Sequence, residues 1–193
     1  MAGSLSRPAL RVLTAVVIIA WPLLISLGLT HHSLNWLLPL LALILALRLW
    51  QTRHQRGPMR FVAIASALAG VMLCVASWLL QAHQWLLFYP VVINVLLLAV
   101  FGASLWSTMP LVERLARLRE PQLSAAGVRY TRNVTRVWCL FFVINGGIAL
   151  LTALHGNMAL WSLWNGALSY LAIGALMGGE WLVRQRLKRR EAL

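Results

Sequence analysis

Residues 137–154 read VWCLFFVINGGIALLTAL. No position in this run carries a charge, and Arg136 stands immediately before it. The apolar residues are continuous rather than alternating, which suits a helix and not a strand of a β-barrel. A helix rises 1.5 Å per residue, so roughly 20 such residues cross the ~30 Å hydrocarbon layer of a bilayer. The stretch is read as a transmembrane helix. Five more segments share its character, at about 11–29, 34–47, 61–80, 86–107 and 159–183. The segment at 34–47 is short. It crosses obliquely, begins within the interface, or relies on Arg48 snorkelling.

Composition points the same way. Of 193 residues, 61% are apolar and only 11% are Asp, Glu, Lys or Arg. A soluble domain carries roughly 25% charged residues, and this chain could not clothe a water-facing surface. Disordered chains are poor in apolar residues, so disorder is excluded too. The expected fold is all-α: a single polytopic transmembrane domain spanning 1–193, with six transmembrane helices.

The basic residues give the orientation. Arg7 and Arg11 precede the first span, and Arg48, Arg53, Arg56 and Arg60 separate the second from the third. Arg114, Arg117, Arg119, Arg129, Arg132 and Arg136 separate the fourth from the fifth, and Arg184, Arg186, Lys188, Arg189 and Arg190 follow the sixth. The connections around 30–33, 81–85 and 155–158 hold none. With six spans, every basic segment falls on one side. The positive-inside rule makes that side the cytoplasm, with both termini inside, in a bacterial inner membrane. The net charge of +13 therefore reads as topology and not as a nucleic-acid footprint, because each basic segment is short and flanks a span. Nine of the ten Trp lie near span ends, where indole favours the headgroup level. Trp21, beside Pro22, is the exception at mid-span. The N-terminal apolar stretch is longer than a signal-peptide core and no A-x-A site follows it, so a retained first span is expected.

Residues 108–136 form the one long cytoplasmic connection. Thr108 is a candidate cap and Pro110 suits a first helical turn. Leu111, Leu115 and Leu118 share one face of the helix that follows, with Glu113, Arg114 and Arg117 off it. Such a helix lies at the interface, its leucines toward the apolar phase and its arginines toward headgroups or cytoplasm. Ser124 is expected to cap a second helix that runs on into span five. The segment either anchors on the bilayer and its anionic lipid headgroups or docks a protein partner.

Met109-Pro110-Leu111-Val112-Glu113-Arg114-Leu115, then a basic linker, then Trp138-Cys139-Leu140-Phe141-Phe142-Val143-Ile144-Asn145-Gly146-Gly147, and a last span opened by Trp161, resemble the bacterial intracellular septation protein A family. The resemblance covers roughly residues 90–185. The whole chain is still more similar to a family of small membrane proteins that accompany aryl-polyene or other fatty-acid-like biosynthetic gene clusters. Pro90-Val91-Val92-Ile93-Asn94 and Ser104-Leu105-Trp106-Ser107 carry that likeness. The resemblance implies an inner-membrane protein of envelope organisation, with septal or biosynthetic proteins as partners. It brings no catalytic motif and no cofactor.

Polar residues inside spans are the remaining candidates. Asn94, Asn145 and Asn165 each lie some six to ten residues from the extracytoplasmic end of a span, so they can share one level. Buried amides need partners; they glue helices or line a polar pocket. Glu180 is the one acid within a span. Arg184, four residues on, is a candidate ion-pair partner, and Arg136 is a second. His31, His32, His83 and His155 fall in extracytoplasmic connections, without Asp, Glu or Cys nearby, and no metal site is expected. Cys74 and Cys139 are expected to pack as small apolar residues. Gly174 and Gly178 form a GxxxG that packs helices or dimerises the chain, and Ser66 and Gly70 form a small-xxx-small pair. There is no P-loop, GxGxxG, GxSxG, HExxH or aspartate cluster. The expected function is a non-catalytic accessory or scaffold protein for envelope or lipid biosynthesis. The alternative is a small carrier or flippase-like protein that passes a hydrophobic product along the Asn level.

Overall fold

The computed structural model describes residues 43–47, 50, 59–80, 83–118 and 120–191. The expected first span and most of the second lie outside these. Every element among the described residues is helical. Helix α1 spans Met59–Leu80. A 3-10 stretch, His83–Phe88, leads into α2, Tyr89–Leu105. Pro90 sits in its first turn, where a missing N–H leaves no bond unmade. Helix α3 is short, Leu111–Arg117. Helix α4, Ala125–His155, runs unbroken for 31 residues. Helix α5, Met158–Leu163, passes through a π-helical turn at Trp164–Leu168 into α6, Ser169–Glu191.

Three helical stretches are long and apolar enough to cross a bilayer: Gln84–Leu105, Ala125–His155 and Met158–Leu187. The apolar part of α1, Ala63–Leu79, is shorter. These stretches suit a membrane protein. So does the exterior, where Met72, Leu79, Leu151 and Leu171 stand exposed.

Local chemistry explains the helix ends. Ser124 Oγ accepts from Gly127 N at 3.0 Å, the cap expected from the sequence. Helix α4 is about 46 Å long at 1.5 Å per residue, more than the ~30 Å of a hydrocarbon layer. It stops at Gly156, whose φ of 72° is the left-handed conformation that glycine adopts without penalty. Asn157 Oδ1 then accepts from Leu160 N and starts α5 one residue later. The α4–α5 corner is therefore tight, and the two helices fold back against each other.

The start of α3 differs from expectation. Its N-cap is Pro110, and Thr108 makes no capping bond. The cap comes from the preceding helix, where Ser104 Oγ accepts from Leu111 N at 3.0 Å. This bond swings Leu111 inward, to 2% exposure, against Phe101 and Phe142. The three leucines consequently do not share one environment: Leu111 is core, and Leu118 is 78% exposed. A helix of seven residues held by its first residue presents its sides in a way that spacing alone does not reveal.

Packing concentrates in two clusters. At the α4–α5 corner, Cys74, Leu86, Tyr89, Ala153 and Trp161 pack together with Leu45 and Ala67. At the other end, Phe101, Trp138, Phe141 and Phe142 form an aromatic group, with Phe101 and Phe142 edge to face at 5.2 Å between centroids. The most extensive helix contact joins α2 to α4.

Tryptophan divides into two populations. Trp50, Trp78, Trp85, Trp106 and Trp181 are exposed, as a headgroup belt requires. Trp138 and Trp164 turn inward, and Trp161 is completely buried, with Nε1 donating to Leu87 O at 3.0 Å. Trp161 and Trp164 lie on the face that packs against α4. Proximity to a span end does not distinguish such a residue from a belt residue. Trp21 and Trp36 lie outside the described residues.

Candidate functional site

The amide level forms in part as expected. Asn145 Nδ2 donates to Asn94 Oδ1 at 3.1 Å, and Asn94 Nδ2 donates to Pro90 O at 2.8 Å. Trp164 Nε1 donates to Asn145 Oδ1 at 3.2 Å. Three helical segments are thus tied through one buried chain of hydrogen bonds. Gly146 makes the approach possible, because a Cβ there would lie 2.9 Å from Asn94 Cβ. Asn165 does not join the other two amides. It turns to Thr152 Oγ1 and to Trp161 O, at 3.3 and 3.0 Å. It sits in the π-helical turn, where an added residue displaces the backbone of the helix.

Helix α3 is tied down by its charges. Arg117 places Nη2 and Nε at 2.8 and 2.9 Å from Glu113 Oε1, and its Nη1 donates to Pro121 O. Glu113, expected on the polar side, is buried. The pair neutralises it, which is what a buried carboxylate requires. Arg114 Nε donates to Met109 O at 2.8 Å. Both guanidinium groups expected to face headgroups therefore already bond to protein. Arg132 Nη2 donates to Leu105 O and caps the end of α2.

Behind α3 lies a cavity of about 530 Å³. It is walled by α3, the segment after it, the first turns of α4 and the last turns of α6. Leu115, Leu118, Phe101, Trp138 and Met177 supply apolar surface. Glu120, Glu180 and Arg184 supply charge. Tyr130 fastens α4 to α6 across it, donating to Glu180 O at 2.9 Å.

The expected ion pair at Glu180 takes another form. Arg184 Nη2 lies 3.4 Å from Glu120 Oε2, and Arg136 Nη1 donates to Asn133 Oδ1. Among the described residues the Glu180 side chain makes no hydrogen bond or ion pair. The reason is geometric: residue 120 follows the turn that ends α3 and sits within reach of Arg184. The i,i+4 relation of Glu180 and Arg184 is permissive and does not compel a contact.

Other candidates gather nothing. Among the described residues no three His, Cys, Asp or Glu side chains come together as metal ligands. His31 and His32 lie outside them. Gly174 and Gly178 have no neighbouring atom within 4 Å of where a Cβ would stand. Sequence reasoning missed Glu120, Tyr130 and Arg132. The sequence reading gives no role to Glu120 or Tyr130 and counts Arg132 only among the basic residues that set the orientation. Glu120 and Glu180 are two of the four acids in the chain, and both lie in its basic segments or beside them. That rarity was the available signal.

No family model, no curated protein and no solved structure matches the chain. The site stands on its own geometry. A volume of this size suits a small amphiphile, since ligand pockets run roughly 300–1,000 Å³. Among the described residues the lining combines apolar side chains with two carboxylates and a guanidinium. No nucleophile with an adjacent base stands out in this lining.

Proposed function

We propose that the chain is a multi-pass protein of a bacterial inner membrane, with six spans and both termini in the cytoplasm, that holds an amphiphile at the cytoplasmic ends of its helices. In this reading it is a non-catalytic accessory protein for envelope or lipid biosynthesis. The envelope setting rests on its resemblance to the septation protein A and aryl-polyene-associated families. The observation that carries the binding role is the cavity behind α3, with apolar and charged walls at the end of the helices that bears the arginines. Residues 108–136 contribute its lid, and the same segment offers an outer face to septal or biosynthetic proteins. A homodimer through Gly174 and Gly178 remains compatible with their open surroundings.

The carrier alternative needs a polar path at the amide level. The hydrogen bonds of Asn94 and Asn145 are instead made to each other, to Trp164 and to the backbone of α2. That favours packing there, with binding confined to the basic end.

A photoreactive amino acid at Met177, which lines the cavity, tests the reading against the same group at Leu171, which is comparably exposed on the same helix but outside the cavity. In native membranes the group at position 177 should capture one amphiphile per chain, at a level that saturates. The group at position 171 should label in proportion to bulk lipid. Equal, unsaturable labelling from both positions would overturn the binding role.

A further inference from the structure

The charge pattern of the cavity specifies more than an amphiphile. Among the described residues that line it, two carboxylates, Glu120 and Glu180, stand with one guanidinium, Arg184. Arg184 and Glu120 meet at 3.4 Å, with side chains 31% and 40% exposed. A charge-assisted bond of full strength is about 2.7–2.9 Å long, so this clasp is loose and readily exchanged. Glu180 has no partner of its own among the described residues, although it is half-buried. A ligand carrying only negative charge would meet Arg184 but be repelled by Glu180. A neutral ligand would desolvate Glu180 and give it nothing in return.

A ligand with an ammonium beside an anion answers both demands. Glu180 and Arg184 are four residues apart on α6, about 6 Å along its axis. A phosphate and an ammonium joined by a two-carbon bridge reach across a gap of that order. Tyr130 stands at the same place. Because its hydroxyl donates to Glu180 O, the hydroxyl oxygen is left as an acceptor for an N–H donor.

We infer that the cavity takes the headgroup of an amine-bearing zwitterionic phospholipid, a phosphatidylethanolamine, with its ammonium on Glu180 and Tyr130 Oη and its phosphate on Arg184. One acyl chain lies along Leu115, Trp138 and Met177. Phosphate displaces Glu120 from Arg184, so the loose clasp is the gate through which the headgroup enters. The inference rests on the amphiphile reading above and names the class of headgroup.

The test uses the full chain, purified in detergent, stripped of lipid and presented with equal amounts of phosphatidylethanolamine, phosphatidylglycerol and phosphatidylcholine. Native mass spectrometry reads the lipid retained. The wild type should hold phosphatidylethanolamine about tenfold or more above phosphatidylglycerol, the scale of one charge-assisted contact. Phosphatidylcholine, whose ammonium has no N–H, should also bind more weakly than phosphatidylethanolamine. Glu180→Gln should abolish the preference and still retain one lipid; Arg184→Gln should weaken all three. Equal retention of the three lipids by the wild type, or an unchanged preference in Glu180→Gln, would overturn the headgroup assignment and leave the amphiphile reading intact. Absence of any retained lipid in the wild type would overturn both. The comparison of three lipids on the wild type needs no variant to fold.

Discussion

Gly146→Ala and Gly147→Ala form a controlled pair. The two glycines are adjacent in α4, and each substitution changes the intrinsic helix preference by the same amount, up to about 1 kcal/mol in favour of Ala. That contribution cancels when the variants are compared with each other. What differs is the space each methyl meets. At Gly147 there is no atom within 4 Å. At Gly146 the new Cβ lies 2.9 Å from Asn94 Cβ and 3.6 Å from Asn94 Cγ. Asn94 Cβ is close to the backbone of α2 and cannot swing aside as the tip of a long side chain would. The helices must separate by some tenths of an ångström, an overpacking that costs about 1–3 kcal/mol. Separation also lengthens the 3.1 Å bond from Asn145 to Asn94, and such interhelical bonds are worth about 0.6 kcal/mol on average in membranes. Gly146→Ala should therefore be less stable than Gly147→Ala by roughly 1.5–3.5 kcal/mol. Reversible unfolding in mixed micelles, followed by circular dichroism, measures the difference. Equal stabilities, or a Gly147→Ala variant as damaged as Gly146→Ala, would refute the close approach of α2 and α4 and the amide bond built on it.

Two further outcomes follow from the same geometry and from the charge distribution. Trp161→Phe keeps a ring in the α4–α5 corner but removes the donor to Leu87 O, and should lower stability by about 1–3 kcal/mol in the same unfolding assay; an unchanged midpoint would mean that this bond contributes nothing. Reporter fusions within 81–85 should report the extracytoplasmic side and fusions after Lys188 the cytoplasm; an external C-terminus would overturn the orientation drawn from the arginines.

Helicity and the main apolar stretches were legible because lipid leaves the chain few options. A continuous apolar run must satisfy its own backbone, and only a helix or a closed barrel does so. Ser124 was legible as a cap because capping is local chemistry. The contact of Asn94 with Asn145 was legible as a level but not as a bond. Depth along a helix follows from counting, whereas rotation about its axis depends on neighbours. Asn165 shows the difference, since its turn of π-helix carries it toward Thr152. Glu113 was misjudged for a related reason. Its burial is set by how a seven-residue helix docks, and docking was decided by Ser104, a residue of the preceding helix. The cavity had no signature in the sequence, because it arises where α3, α4 and α6 fail to close against one another.

The π-helical turn at Trp164–Leu168 has a consequence for how the last span is phased. A plain α-helix advances 100° per residue, so its two ends keep a fixed angular relation. One additional residue accommodated in a single turn offsets everything beyond it by about that angle. Before the turn, Trp161 points into the α4–α5 corner; beyond it, Glu180 and Arg184 line the cavity at the other end. The helix thus behaves as two screws of the same pitch joined out of step, each cut to fit a different lock. Removing one residue at Ala167 would put them in step, and Glu180 and Arg184 would turn away from Tyr130 and Glu120 while Trp161 kept its seat.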